Sequence, residues 1–179
     1  MEEKAAAELD KKLNWLRASV LGANDGIVSI AGVVMGVAAS GAGRPTVIIA
    51  GVAAVVAGAI SMAGGEYTSV SAQRDTEFAH GRSASAITAR PWNAAWSSFL
   101  AFTAGALLPL LAITTPVETI KVPVTVAAVV VALAITGWWA AHVGGGSKVR
   151  SIVRNVSVSL LTMGIAYAVG ALLGVTVFA

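Results

Sequence analysis

The sequence predicts an all-α integral membrane protein with five transmembrane helices, and three observations lead to that class. The 179 residues are 56% hydrophobic and only 12% charged, and the mean hydropathy of +0.80 lies outside the range of ordinary soluble domains. The apolar residues gather into five runs, each near the roughly 20 residues needed to cross a hydrocarbon core of about 30 Å. Most charged residues fall between those runs.

In order, the runs extend from Ser19 to Ala39, Thr46 to Glu66, Trp92 to Thr114, Val122 to Val143 and Val156 to Phe178, so that residues 1–179 form one five-helix transmembrane domain. The first run is too long, and too closely followed by others, for a cleaved leader. Residues 1–12 read as an acidic and basic, Ala-rich helix that continues into the first span. Residues 41–45, 115–121 and 144–147 are tight connectors with turn chemistry. That leaves residues 67–91 as the only sizeable loop. None of these segments can bury a soluble catalytic core, and the sequence predicts no enzyme. No catalytic triad or zinc-protease spacing occurs, and Gly144-Gly-Gly-Ser147 lacks the strand and the pattern of a phosphate-binding loop. There is no cysteine, which removes disulfides, thiolate metal sites and thiol nucleophiles.

The basic residues set a topology. Lys4, Lys11, Lys12 and Arg17 precede the first span, Arg74, Arg82 and Arg90 lie between the second and third, and Lys148, Arg150 and Arg154 between the fourth and fifth. Ten of the twelve therefore share one side, leaving Arg44 and Lys121 on the other. The positive-inside rule then puts the N-terminus in the cytoplasm and the C-terminus outside. Trp15, Trp92, Trp96, Trp138 and Trp139 all fall at the cytoplasmic ends of spans, where an indole anchors at headgroup level; the competing reading has them filling the core. The net charge of +3 is accounted for by topology rather than by nucleic acid.

Carboxylates within spans are costly and normally face a cavity or a partner. Asp25 is flanked by apolar sequence on both sides, and Glu66 closes the second span. At helical spacing Asp25 shares a strip with Ala18, Gly22, Ser29, Gly32 and Gly36, which predicts a close helix interface there rather than lipid, with Gly32 a contact on which the homodimer or an open path depends. Asn24-Asp25-Gly26 lacks the flanks of a hairpin turn, while a local helix break near Gly26 stays open. On the second span Gly51, Val55, Gly58, Met62 and Glu66 form one stripe. A thioether one turn from a carboxylate suits softer transition metals better than magnesium or calcium, although Met62 as core filler and Glu66 paired with Arg74 would also fit. Asp75 and Glu77 with Arg74 in the loop could form an entry site, His80 and His142 are weaker ligand candidates that also fit as solvated or interfacial histidines, and Tyr167 could hydrogen-bond a path carboxylate.

Two stretches, Leu21-Gly-Ala-Asn-Asp-Gly-Ile-Val-Ser29 and Gly58-Ala-Ile-Ser-Met-Ala-Gly-Gly-Glu-Tyr-Thr-Ser-Val-Ser-Ala-Gln-Arg-Asp-Thr-Glu77, resemble the vacuolar iron transporter family. Pro91-Trp92, the segment from Phe102 to Pro109 and the five-span plan extend the likeness over almost the whole chain. The resemblance implies a homodimeric, proton-coupled exporter of Fe(II) from the cytosol, with its path along the dimer interface. Asp25 and Met62 match the acid and thioether that line that path, and Glu66 belongs to the same motif. Fuller members carry a Glu- and Met-rich cytoplasmic domain after the second span. The short interval here resembles the nodulin-21-like branch.

The leading expectation is thus a proton-coupled divalent-metal transporter with Asp25, Met62 and Glu66 as metal ligands, Fe(II) or Mn(II) as substrate and no permanently bound cofactor. Its partners would be membrane lipid, the metal ion and a second copy of the chain. It would reside in the plasma membrane of a prokaryote or a vacuolar-type membrane of a eukaryote. The rival class is a non-transporting membrane interaction or assembly module whose small-residue strips only pack helices. A channel fits less well, because two copies of the site would hold a divalent ion too long for fast conduction.

Overall fold

A computed structural model of the chain describes residues 2–82 and 87–177, with side chains described over 15–82 and 87–175. Five helices account for nearly all of it: α1 (Glu2–Ala39), α2 (Arg44–Ala79), α3 (Pro91–Ile113), α4 (Glu118–Gly144) and α5 (Lys148–Val177). Each contains a stretch long and apolar enough to span a membrane. The side chains of Lys4, Lys11 and Lys12, and the end of the fifth span at Phe178, lie outside the described residues.

The helices are longer than the apolar runs. The sizeable loop expected over 67–91 shrinks to residues 80–90, because α2 continues to Ala79. Apolarity ends at Glu66, but residues 67–79 contain no glycine or proline, and the helix stops only where Gly81 takes a φ of 74°. Thirty-six residues at 1.5 Å each make about 54 Å, well beyond a hydrocarbon core of about 30 Å. In the same way α5 begins at Lys148, so Arg154 belongs to the helix rather than to the connector before it. At its other end α2 starts with a proline in its first turn, where the missing N–H leaves no hydrogen bond unmade.

α1 is the central helix and packs against all four others, whereas among the described residues α2 does not touch α4 or α5. It runs parallel to α3 with almost no side-chain spacer: a Cβ on Gly26 would sit 2.2 Å from the Phe102 carbonyl oxygen. The α1–α5 crossing is as close, since a Cβ on Gly170 would lie 1.9 Å from the Gly36 carbonyl oxygen. Small residues thus let the backbones meet, the usual device where lipid removes the hydrophobic incentive for helices to associate. α1 is helical through Gly26, so no helix break occurs there.

The small-residue strip of α1 divides between neighbours. Gly22 lies against Ser98 of α3, while Gly32 and Gly36 lie against Thr162 and Ala166 of α5. Gly32 therefore lies against α5 of its own chain. Asp25 emerges where α2 and α5 fail to meet, and in the single chain it is exposed.

Ile30, Val34, Phe102, Val129 and Leu133 anchor the core, and many large apolar side chains face outward, among them Ile49 and Ile60 of α2 and Leu161 and Leu172 of α5. That distribution suits a lipid solvent. All five tryptophans are at least 39% exposed, which removes the core-filling reading. They lie toward one end of the bundle, with Trp92 against Tyr67 at a ring separation of 4.8 Å. At the opposite end Arg44 donates to the Thr114 carbonyl oxygen and Lys121 pairs with Glu118, so both basic residues there are engaged.

Candidate metal path between α1 and α2

Asp25, Met62 and Glu66 line one cavity of about 460 Å³ between α1 and α2. The antiparallel hairpin makes the meeting: with a tight turn at residues 40–43, positions equally distant from it face one another, which sets Val34 beside Gly51 and Arg17 beside Glu66. Phe102 of α3 forms the floor. Its ring fits only because position 58 lacks a side chain, since a Cβ there would come within 2.4 Å of the ring.

The two carboxylates sit in different surroundings. Glu66 is 7% exposed and its Oε2 lies 3.6 Å from the Arg17 guanidinium, too far for a hydrogen bond. That buried oxygen has no hydrogen-bond partner among the described residues. Burying an acceptor unsatisfied costs about 1–3 kcal/mol, so such an atom calls for a reason. Asp25 opens onto the cavity and forms no ion pair with any described residue. The Ser29 hydroxyl donates to the main-chain oxygen of Asp25 rather than to its carboxylate. Its neighbour Asn24 is engaged instead, accepting from Thr136 of α4 at 2.8 Å. Met62 is half-buried and packs on the core.

Chemically, the cavity offers two carboxylates and a thioether with little competing hydrogen bonding, a donor set that takes a divalent cation with some softness. One chain does not complete a shell from charged and imidazole donors: among the described residues no three His, Asp or Glu side chains come together.

Sequence reasoning did not find Arg17, which occupies the place next to Glu66 that the competing reading gave to Arg74; Arg74 lies 5.6 Å from the centre of the Phe78 ring. The hairpin register would have identified it. In the sequence Phe102 stands out only as part of a motif, because nothing in its flanks marks the floor of a cavity. The connector candidates do not assemble. Glu77 accepts from Gln73 Nε2 and from the Thr88 N–H, His80 Nδ1 lies 2.9 Å from the Thr76 carbonyl oxygen, and Asp75 is exposed. His142 stacks on Trp138, and Tyr167 lies 42% exposed on α5, away from the cavity.

Comparison with known proteins agrees with the architecture. The sequence pattern of the VIT family matches residues 16–86 and 76–171. "Vacuolar iron transporter homolog 4" of Arabidopsis thaliana is 39% identical over 180 residues, covering 97% of this chain and 91% of the relative. "Vacuolar iron transporter homolog 2" of the same plant is 40% identical at the same coverages, and "Vacuolar iron transporter homolog 5" of Oryza sativa subsp. japonica is 41% identical over 89% of this chain and 81% of the relative.

Proposed function

Since the chain belongs to the VIT family, we propose that it carries a divalent metal ion, foremost Fe(II), out of the cytosol by way of the cavity between α1 and α2. The observation that carries this reading is the convergence of Asp25, Met62 and Glu66 on one cavity, with an unsatisfied buried carboxylate oxygen among them. A helix-packing module would have no use for that oxygen. Asp25 supplies the principal charge, Met62 the preference for softer ions, and Glu66 a second carboxylate held by Arg17.

The transporting unit is a homodimer with the two cavities facing across a two-fold axis. Two copies would bring four carboxylates and two thioethers together, enough for one Fe(II) with water completing the shell. The open edge of the cavity and the outward face of α2, where Ile49, Val52, Val56 and Ile60 are exposed, offer the surface for it. Protons are the counter-ion, because carboxylates gathered near one axis compete between H⁺ and metal. The end bearing Arg74, Arg90 and Arg150 is cytoplasmic by the positive-inside rule, and the names of the relatives favour a vacuolar-type membrane.

The test is Fe(II) uptake into inside-out vesicles with and without an imposed pH gradient. Saturable uptake that follows the gradient is expected. Absence of metal flux from vesicles containing folded protein would return the chain to the class of assembly modules, and flux indifferent to the gradient would remove the proton.

A further inference from the structure

Asp25 stands between two cavities of opposite character. The first is the one just described. The second, about 280 Å³, opens on the other side of the same carboxylate between α1, α4 and α5, and brings Asp25 together with Asn24, Leu133, Arg154 and Asn155. Independent contacts fix this level of the bundle: Thr136 of α4 bonds Asn24, and a Cβ on the adjacent Gly137 would lie 3.2 Å from the Asn155 amide nitrogen. Arg154 is therefore level with Asp25 across the gap left by α2 and α5.

Neither charge has an ion-pair partner within 4.0 Å among the described residues. Other charges near Asp25 are few. On α1, Arg17 is directed to Glu66; α2 contributes Glu66; α3 and α4 contribute no charged side chain to either cavity. An arginine within an apolar helix is costly unless it meets an anion, water or the headgroup layer, and a guanidinium on a long flexible stem can reach a carboxylate that shares its cavity.

We infer that Arg154 is the counter-cation of Asp25: without a direct ion pair, its charge balances the carboxylate across the shared cavity while metal is absent and repels cations from the α5 side, so that the metal meets Asp25 only from the side of Met62 and Glu66. Arg154 is a positioning residue and touches no metal. Binding of the ion exchanges one positive partner of Asp25 for another. The free arginine and the bound metal then repel each other, which favours release of the ion once it is loaded. This rests on the proposed transport reading for the identity of the cation, but the pairing of the two residues does not.

The experiment uses the full chain, purified in nanodiscs, with Mn(II) as the probe and free Mn(II) counted by electron paramagnetic resonance. Removing a nearby positive charge should tighten Mn(II) binding by Arg154→Gln roughly tenfold, since like charges in a low-dielectric cavity repel strongly, while vesicle flux at saturating metal falls. Arg154→Lys should behave like wild type. In an Asp25→Asn background, Arg154→Gln should tighten binding much less, because only the direct repulsion between arginine and metal is then removed. A second readout needs no metal: the melting temperatures of the two single variants and the double variant should be non-additive without Mn(II), and additive once it saturates the site. Unchanged or weaker binding by Arg154→Gln, or the same tightening in the Asp25→Asn background, would overturn the inference. If Arg154→Gln does not fold, Arg154→Met serves in its place. If wild type neither binds nor moves Mn(II) or Fe(II), the transport reading fails, and the metal-free melting cycle still decides the pair: additive melting shifts would mean that Arg154 reaches out to headgroups instead.

Discussion

Glu66 and Glu77 lie three turns apart on α2, both nearly buried, and their hydrogen-bonding surroundings differ. Glu77 accepts from the Gln73 amide at 3.0 Å and from the Thr88 N–H at 3.2 Å, and has Arg82 at 3.9 Å. Its lone pairs are used. Among the described residues Glu66 has only the distant Arg17 guanidinium, and one of its oxygens is without a hydrogen bond. Asp25 across the cavity forms no ion pair with any described residue. A satisfied carboxylate clips the connector to the end of α2; unsatisfied ones leave lone pairs for a ligand. Ligand-type residues are equally abundant at both places, so composition does not tell the two apart.

The sharpest way to break that comparison is Asp25→Asn. The amide keeps the shape and much of the hydrogen bonding, so a structural carboxylate would tolerate it, whereas a transport carboxylate loses its hold on the cation. Fe(II) flux should fall by roughly two orders of magnitude or more, because the main charge in a low-dielectric site is gone. Vesicle uptake at matched protein content measures it, and normal gradient-driven uptake would end the assignment.

Glu66→Gln comes next, with flux lower by roughly tenfold, since Asp25 remains while a second charge is lost. Here the comparison yields a further check. Arg17 is 55% exposed, so leaving it unpaired costs little, and the melting temperature should barely move. A large drop in stability with flux per folded molecule intact would reclassify Glu66 with Glu77.

Met62→Leu should act more gently, because leucine replaces the thioether at similar volume and such swaps usually cost less than about 1.5 kcal/mol. Uptake of Fe(II) relative to Mn(II) should fall a few-fold, consistent with the softer donor favouring iron. Relative rates equal to wild type would leave Met62 as a packing residue.

The five helices and the residues of the cavity were legible because they depend on local signals. Apolar runs of spanning length mark α1 to α5, and helical spacing aligns Gly51, Val55, Gly58, Met62 and Glu66 on one stripe. Helix ends were less legible: hydropathy stops at Glu66, but the backbone has no reason to unwind before Gly81. The destination of the small-residue strip was not legible at all. Glycine at 22, 32 and 36 signals close approach without naming the partner, and the structure gives Gly22 to α3 and the others to α5. Arg17 and Arg154 were counted for topology, and topology says nothing of which carboxylate a basic side chain faces.

The smallest expected effect on transport is that of Glu77→Gln, and it tests the comparison from the other side. The amide keeps one oxygen, which can still accept from the Thr88 N–H, but the other position becomes a donor where Gln73 and Arg82 also present donors. The clip between α2 and the connector is thereby weakened rather than cut. With hydrogen bonds to a charged group worth about 1.5–3 kcal/mol each, the end of α2 and the entry to α3 should open more readily. The cavity lies three turns away, between α1 and α2, and its lining residues touch none of these atoms. Flux per folded molecule should therefore stay within about twofold of wild type, because sites without shared partners act nearly independently. Hydrogen exchange at residues 73–82 should accelerate and the melting temperature should drop. Should Glu77→Gln instead abolish flux while exchange in that segment stays unchanged, Glu77 would handle metal despite its filled lone pairs, and hydrogen-bond satisfaction would no longer distinguish the two carboxylates of α2.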